Sequence, residues 1–352
     1  MAAENKGLFL KKVPDGYPIP GQDLTVESVP FDASAPAPEG GVTVQVIYAS
    51  FDPYLRGRMR DPEVRSYVPA FQLNKPIDTR SIAKILSSNN SKFKPGDLVT
   101  GHLPVQEYVS LPEQYANGLK PLENPYGIED IRVFIGALGM PGLTAYSSLY
   151  EIGKPKKGET IFISSAGGAV GQIVGQLAKH EGLKVIGSVG TDEKLNYILK
   201  DLGFDGGFNY KKEKPSDALA RLAPTGVDIY YENVGGEQLE AALDAMNDWG
   251  RVVACGMISQ YNLGPDEKYG VRNLMHIVTK RLTVQGFIVS DKGYSGKYYK
   301  EHQERVGKWI KDGSFTAIIS ETTGIDNAAE GLVGIFKGEN FGKAVLKLQK
   351  VS

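Results

Sequence analysis

The sequence predicts an α/β fold: a doubly wound parallel sheet with a separate β-rich domain ahead of it. Three observations carry this. The run Thr160-Ile161-Phe162-Ile163 is short, apolar and β-branched, and a glycine turn follows it; Val170, Ile173, Val174, Leu177 and Ala178 then fall at helical spacing before a second strand, Lys184 to Val189, which together make one βαβ unit. The same alternation continues through Gly207 to Tyr210, Val227 to Tyr231, Arg251 to Gly256 and Leu282 to Phe287. Ahead of it, the first part of the chain is broken by Pro14, Pro18, Pro20, Pro30, Pro36 and Pro38 and alternates at period two from Val42 to Tyr48, as half-buried strands do.

The turn Ala166-Gly167-Gly168-Ala169-Val170-Gly171 fits the G-x-G-x-x-G fingerprint with alanine at its first position. Backbone N–H groups at a helix start lack partners within the helix and carry partial positive charge. A pyrophosphate fits there when no side chain stands in the way, which makes this a Rossmann nucleotide-binding sheet; the competing reading is a glycine-rich helix start with packing duties only. The second strand ends at Gly190 and Thr191 without the Asp or Glu that holds a ribose 2′-OH. Lys194, one turn into the next helix, and Tyr210, at the end of the third strand, suit a 2′-phosphate and favour NADP over NAD. Asp192 and Glu193 argue the other way; in the competing reading Thr191 or Asp192 only caps the helix and Glu193 suits its positive end. Lys194 as a plain surface lysine is the alternative.

In the β-rich part, Ser81 to Leu86 and Leu98 to Gly101 read as strands joined by the turn Lys94-Pro95-Gly96-Asp97, and Glu107 to Val109 as another. Phe51 to Arg60 reads as an active-site loop in which Tyr54 offers a phenol and the arginines offer positive potential; the other reading makes Arg56, Arg58, Arg60 and Arg65 the polar face of a solvated helix. Gly139-Met140-Pro141-Gly142 places proline at a helix start and can hinge two bodies around a cleft. Ligands of open parallel sheets lie beyond the carboxyl ends of the strands, which singles out Asn233, Cys255, Gly256, Phe287, Ile288 and Val289. Cys255 reads as a buried thiol rather than a nucleophile, because no histidine stands near it in sequence.

Composition narrows the function. The chain has 352 residues, a net charge of −1 and one cysteine. That charge points away from nucleic acid and from an anionic membrane surface, and a single cysteine excludes an internal disulfide and fits a reducing compartment. The apolar run Leu8-Phe9-Leu10 is too short for a signal peptide, and no stretch reaches the ~18 apolar residues of a membrane helix; the expected location is cytoplasmic. His102, His180, His276 and His302 are scattered, with no cysteine partner at metal-ligand spacing, so no metal site is expected.

On these residues the chain resembles the zinc-independent medium-chain dehydrogenase/reductases, and among them the NADPH-dependent alkenal/one reductases, the group of the prostaglandin and leukotriene reductases and the plant double-bond reductases. The matching stretches run Asp52-Pro53-Tyr54-Leu55-Arg56-Gly57-Arg58-Met59, Gly139 to Tyr146, Gly168-Ala169-Val170-Gly171, Glu193-Lys194, Phe208-Asn209-Tyr210, Asn233-Val234-Gly235-Gly236, Cys255 to Asn262 and Asn340-Phe341-Gly342-Lys343. The resemblance implies a GroES-like, distorted-barrel catalytic domain over residues 1–130 and 311–352 around a Rossmann NADP-binding domain over 131–310. It implies that Gly168, Ala169, Val170 and Gly171 hold the pyrophosphate. Gly190, Thr191, Lys194 and Tyr210 would surround the 2′-phosphate, and Asn233, Cys255, Gly256, Ser259, Tyr261, Phe287, Ile288, Val289, Asn340 and Gly342 would line the cofactor. Tyr54 and Tyr261 would lie near a substrate carbonyl.

The implied reaction is reduction of the C=C bond of an α,β-unsaturated aldehyde or ketone. Hydride reaches the β-carbon, the enolate oxygen is stabilised by a tyrosine or ribose hydroxyl, and a proton reaches the α-carbon from tyrosine or water. A zinc-free NADPH:quinone reductase and a non-catalytic NADPH-binding protein are the alternatives, and a homodimer through the edge of the nucleotide sheet is implied by analogy. Two stretches depart from the family pattern: Leu103-Pro104-Val105 stands where relatives tend to carry tryptophan, and Asp78-Thr79-Arg80 where a glycine-rich segment is usual.

Overall fold

A computed structural model describes residues 4–32 and 34–348. The chain divides into two units, one made of the chain up to Ile135 with Ile319–Asn340 and the residues from Ala344 on, the other of Gly136–Ile318 with Phe341–Lys343.

The second unit is the expected nucleotide-binding sheet. Its six strands lie in the order Gly206–Asn209, Lys184–Val189, Thr160–Ile163, Val227–Glu232, Met246–Ala254 and Thr283–Gly286, and every pairing is parallel. Helices cover the sheet, so the central strands Thr160–Ile163 and Val227–Glu232 are buried except at Asp228 and are mostly apolar. Phe162 stacks between Phe208 and Tyr230, with ring centroids 5.9 and 5.0 Å away. Tyr210 lies one residue past its strand, and Cys255 and Gly256 just past theirs. Those positions are the carboxyl ends where the topology places ligands.

The first unit is built on an antiparallel sheet in which Val42–Ser50 pairs with Asp78–Ser88, Tyr108–Leu111 and Lys343–Lys347. Leu98–Pro104 extends it beyond Asp78–Ser88. The chain therefore re-enters the β-rich unit at its C-terminal side, although not over the whole of 311–352. Residues 311–318 and 341–343 fall in the nucleotide unit. The physical reason is hydrogen bonding: the buried Gln172 side chain accepts from the Ile318 amide at 3.0 Å and donates to its carbonyl at 3.0 Å, and the Gly342 amide donates to Gly167 O at 2.9 Å.

Pro141 opens the helix Met140–Ser148, and Gly142 lets that helix approach its neighbours. A Cβ on Gly142 would stand 1.7 Å from Ala137 O and 2.8 Å from His302 Nε2. His302 sits on the long helix Ser295–Asp312, whose sequence is polar, yet it faces inward and is fully buried. Its Nε2 donates to Ala137 O at 2.9 Å, and its Nδ1 accepts from Gln303 Nε2 at 3.0 Å, an amide that also donates to Leu138 O. Both ring nitrogens are thus satisfied by the neutral tautomer alone, and burial pushes the ring pKa down to about 4. The unfolded chain takes up this proton near pH 6.5, so stability is lost as pH falls through that value towards 4. Between pH 7 and pH 5 the loss should be on the order of 2 kcal/mol. Urea unfolding of the wild type and of His302→Gln at the two pH values should show a flatter dependence in the variant; parallel curves would rule the assignment out.

Candidate functional site

The site begins at the glycine turn. Gly171 opens the helix Gly171–His180, and a Cβ there would lie 2.3 Å from Ser165 O and 2.8 Å from Ala166 Cα. Only glycine lets the helix start this close to the strand. Ser165, not a glycine, takes the left-handed conformation in the turn, at φ 53°, so the fingerprint glycines serve close approach rather than unusual dihedrals. Gly168, Ala169 and Val170 are half-exposed at the rim. Gly168 also pairs with Gly342, which brings that distant glycine to the turn.

The 2′-phosphate candidates each lie beside the glycine turn or the strand end. The Lys194 side chain runs past Gly167, where a Cβ would meet it at 3.4 to 3.5 Å, and the Tyr210 hydroxyl lies 3.1 Å from where a Gly190 Cβ would stand. Thr191 caps the next helix, its hydroxyl accepting from the Lys194 amide at 3.2 Å. The Lys194 ammonium is held below its ordinary pKa by burial and then by the nearby Lys211 ammonium, with Glu193 opposing. Two crowded ammonium groups, one of them desolvated, favour an anion beside them. Lys211 escaped the sequence reading, since a lysine after a strand end carries no local signal of its own.

The other strand ends are stitched together by backbone. Asn233 donates its side-chain amide to Ser164 O at 2.8 Å and its backbone N–H to Ser164 Oγ at 2.8 Å. The Cys255 and Gly256 amides both donate to Glu232 O at 3.0 Å, and Ser259 Oγ donates to Val234 O at 2.6 Å. Cys255 is half-buried as a residue, and burial of its sulfur pushes the thiol up to about 12, which suits an inert thiol. Glu232, which sequence reasoning missed, is fully buried; its Oε1 accepts the Val234 and Gly235 amides at 2.6 and 2.8 Å, and burial raises its pKa. Phe287 packs on Tyr294 at 5.1 Å, and Ile288 and Val289 follow it half-buried.

Tyr261 lies in the loop after the fifth strand. Its hydroxyl accepts the Met257 amide at 3.3 Å and stands 2.9 Å from where a Gly256 Cβ would be. Tyr54 and Asn340 belong to the other unit. Tyr54 opens the short helix Tyr54–Arg58 and is half-buried. Burial first, and the Asp52 carboxylate second, push its phenol up to about 12. The neighbouring arginines are neither a solvated face nor a phosphate grip. Arg56 donates to Gly16 O and Arg60 to Val68 O, while the buried Arg58 holds Asp78 through two bonds of 2.8 and 2.9 Å under the Phe71 ring. Burial alone would raise the Asp78 carboxyl, yet His102 and Arg58 hold it at about 2. The departure at Asp78-Thr79-Arg80 is thereby explained as the anchor for Arg58.

Comparison with known proteins places these features in a family. Residues 169–305 match the model of the zinc-binding dehydrogenase family and residues 6–119 that of the N-terminal domain of oxidoreductases. The zinc of that description finds no fit in this donor set. Among the described residues no three His, Cys, Asp or Glu side chains come together as a metal-binding group. The chain is 53% identical to the NADP-dependent oxidoreductase RED1 of Cochliobolus heterostrophus over 98% of both chains. It is 42% identical to a 2-alkenal reductase (NADP(+)-dependent) of Nicotiana tabacum, again over 98% of both. The crystal structure of CurA in complex with NADPH from Vibrio vulnificus is similar with a TM-score of 0.86 and 29% identity, over 98% of this chain and 100% of that one. A nucleotide-binding sheet with an open glycine turn, a returning β-rich unit and relatives matched end to end agree on one assignment: the chain belongs to the medium-chain dehydrogenase/reductase family of oxidoreductases.

Proposed function

We propose that this oxidoreductase takes NADPH and reduces the C=C bond of 2-alkenals and enones, in the cytoplasm and without zinc. The single observation that carries the substrate class is the 42% identity to a 2-alkenal reductase over 98% of both chains. The turn at Gly168 to Gly171 supports the cofactor: a strand, a glycine turn with close packing at Gly171 and a helix start stand in the order that pyrophosphate sites use. Lys194, Tyr210 and Thr191 would hold the 2′-phosphate, and Asn233, Ser259, Phe287 to Val289, Asn340 and Gly342 would line the nucleotide.

NADPH, when bound, would supply the hydride. The chain's own contribution is to the oxygen of the enolate. Tyr261 is the first donor: accepting the Met257 amide polarises its phenol and strengthens its O–H as a donor. Tyr54 is the second, and its raised pKa keeps the proton on oxygen throughout the neutral range. A phenol of that kind keeps its O–H for a hydrogen bond and gives up its proton poorly, so the proton for the α-carbon comes best from water. The exposed edge strand Thr283–Gly286, with Val284 exposed, supports a homodimer joined at that edge.

Tyr261→Phe and Tyr54→Phe should each lower kcat/KM on a 2-alkenal by about tenfold or more, the scale of one hydrogen bond to a charged oxygen, and retain the wild-type melting temperature. Full activity in either variant would remove that tyrosine from the reaction. A stopped-flow panel of 2-alkenals, cyclic enones and quinones should favour the first two classes. Preference for quinones would turn the reading to a quinone reductase, and NADPH binding without turnover to a non-catalytic protein. Because Tyr54 titrates at about 12, wild-type kcat/KM should show no alkaline loss attributable to it below pH ~10. An alkaline limb near pH 8 that disappears in Tyr54→Phe would contradict this.

A further inference from the structure

Asp192 stands 21 residues after Gly171, about the distance at which NAD-binding sheets carry the acid that holds the ribose 2′-OH. Here that carboxylate is occupied. Its Oδ1 accepts from the side-chain amide of the buried Asn209 at 2.9 Å, and its Oδ2 pairs with Lys212 Nζ. Its pKa is lowered, first by the Lys212 hydrogen bond and then by that of Asn209. Asn209 closes the third strand, and Tyr210, Lys211 and Lys212 follow it in one turn. The Lys212 amide donates to Asn209 O at 2.9 Å and the Lys211 amide to Asn209 Oδ1 at 3.1 Å. One turn therefore carries Tyr210, the ammonium that crowds Lys194, and the two groups that take up Asp192.

We infer that Lys212 is a specificity-determining residue for the cofactor: with Asn209 it masks Asp192, so that a carboxylate at the spacing that favours an unphosphorylated ribose does not repel the 2′-phosphate. This rests on the NADPH reading above. Lys212 acts through Asp192 and is a positioning residue that touches no reacting atom. The masking is a matter of charge. A carboxylate left alone several ångströms from a dianionic phosphate in a solvated site weakens binding by about fivefold at low salt, and added salt screens that effect.

The test is fluorescence titration of the full chain with NADPH and with NADH at low and high salt, for wild type, Lys212→Met, Asp192→Asn and the double variant. Lys212→Met should raise the Kd for NADPH by about fivefold at low salt, leave that for NADH within about twofold, and lose most of the difference at 0.5 M salt. Asp192→Asn in the Lys212→Met background should restore the wild-type preference, because no carboxylate is left to mask. A double variant as weak for NADPH as Lys212→Met would overturn the inference and make Lys212 a direct phosphate ligand. An unchanged NADPH-to-NADH ratio in Lys212→Met, against a wild type that prefers NADPH, would overturn it as well. A wild type with no such preference would instead bring down the cofactor reading, and this inference with it.

Discussion

The approach of the helix Gly171–His180 to the turn before it is the constraint on which the nucleotide unit depends. Any side chain at Gly171 would collide with Ser165 O and Ala166 Cα, and the helix would have to move out along its axis. The same principle recurs along the helix. A Cβ at Gly175 would stand 2.0 Å from the Phe204 ring, and one at Gly187, on the second strand, 2.6 Å from Ala166 Cβ. Three missing methyl groups let strand, turn and helix close on one another. Within the turn that results the Gly168 amide donates to Ser165 O at 3.0 Å and the Gln172 amide to Gly168 O at 3.1 Å, and the turn stands at the carboxyl end of the strand Thr160–Ile163.

What was legible in the sequence was local. The strand at Thr160–Ile163, the helix behind the glycines, the capping Thr191 and the Pro141 helix start are each written in residues adjacent to one another, and the structure has them within a residue or two. What stayed hidden depends on partners far away in the chain. The inward turn of His302 is set by Ala137 and Leu138 O, more than 160 residues earlier. Arg58 is indistinguishable in sequence from its exposed neighbours until Asp78 and Phe71 are brought to it. Gly342 on the glycine turn and Gln172 on Ile318 are likewise pairings of residues about 150 positions apart or more, so the boundary between the two units could not be drawn from periodicity. In the candidate site the glycine turn and Lys194 carried local signatures. Lys211 and Glu232 did not, because a lysine after a strand and a carboxylate at its end are ordinary residues until burial and neighbours give them a role.

Burial and charge also decide what the tyrosines can do. A phenol is an ordinary hydrogen-bond donor in water, and its pKa near 10 already makes it a slow acid at neutral pH. At Tyr54 burial and the Asp52 carboxylate move the pKa further, to about 12. Each step in that direction makes proton release harder while the O–H remains available to an oxygen that is gaining charge. Asp52 is itself buried and accepts from Ser50 Oγ at 2.5 Å, so its position is fixed and so is the bias it exerts on the phenol. An environment arranged in this way keeps the phenol protonated and is poorly suited to general acid catalysis. In the proposed reaction the two proton roles therefore separate. The tyrosine holds the enolate oxygen without losing its proton, and the slower protonation at carbon is left to solvent, where no side chain has to be recharged before the next turnover.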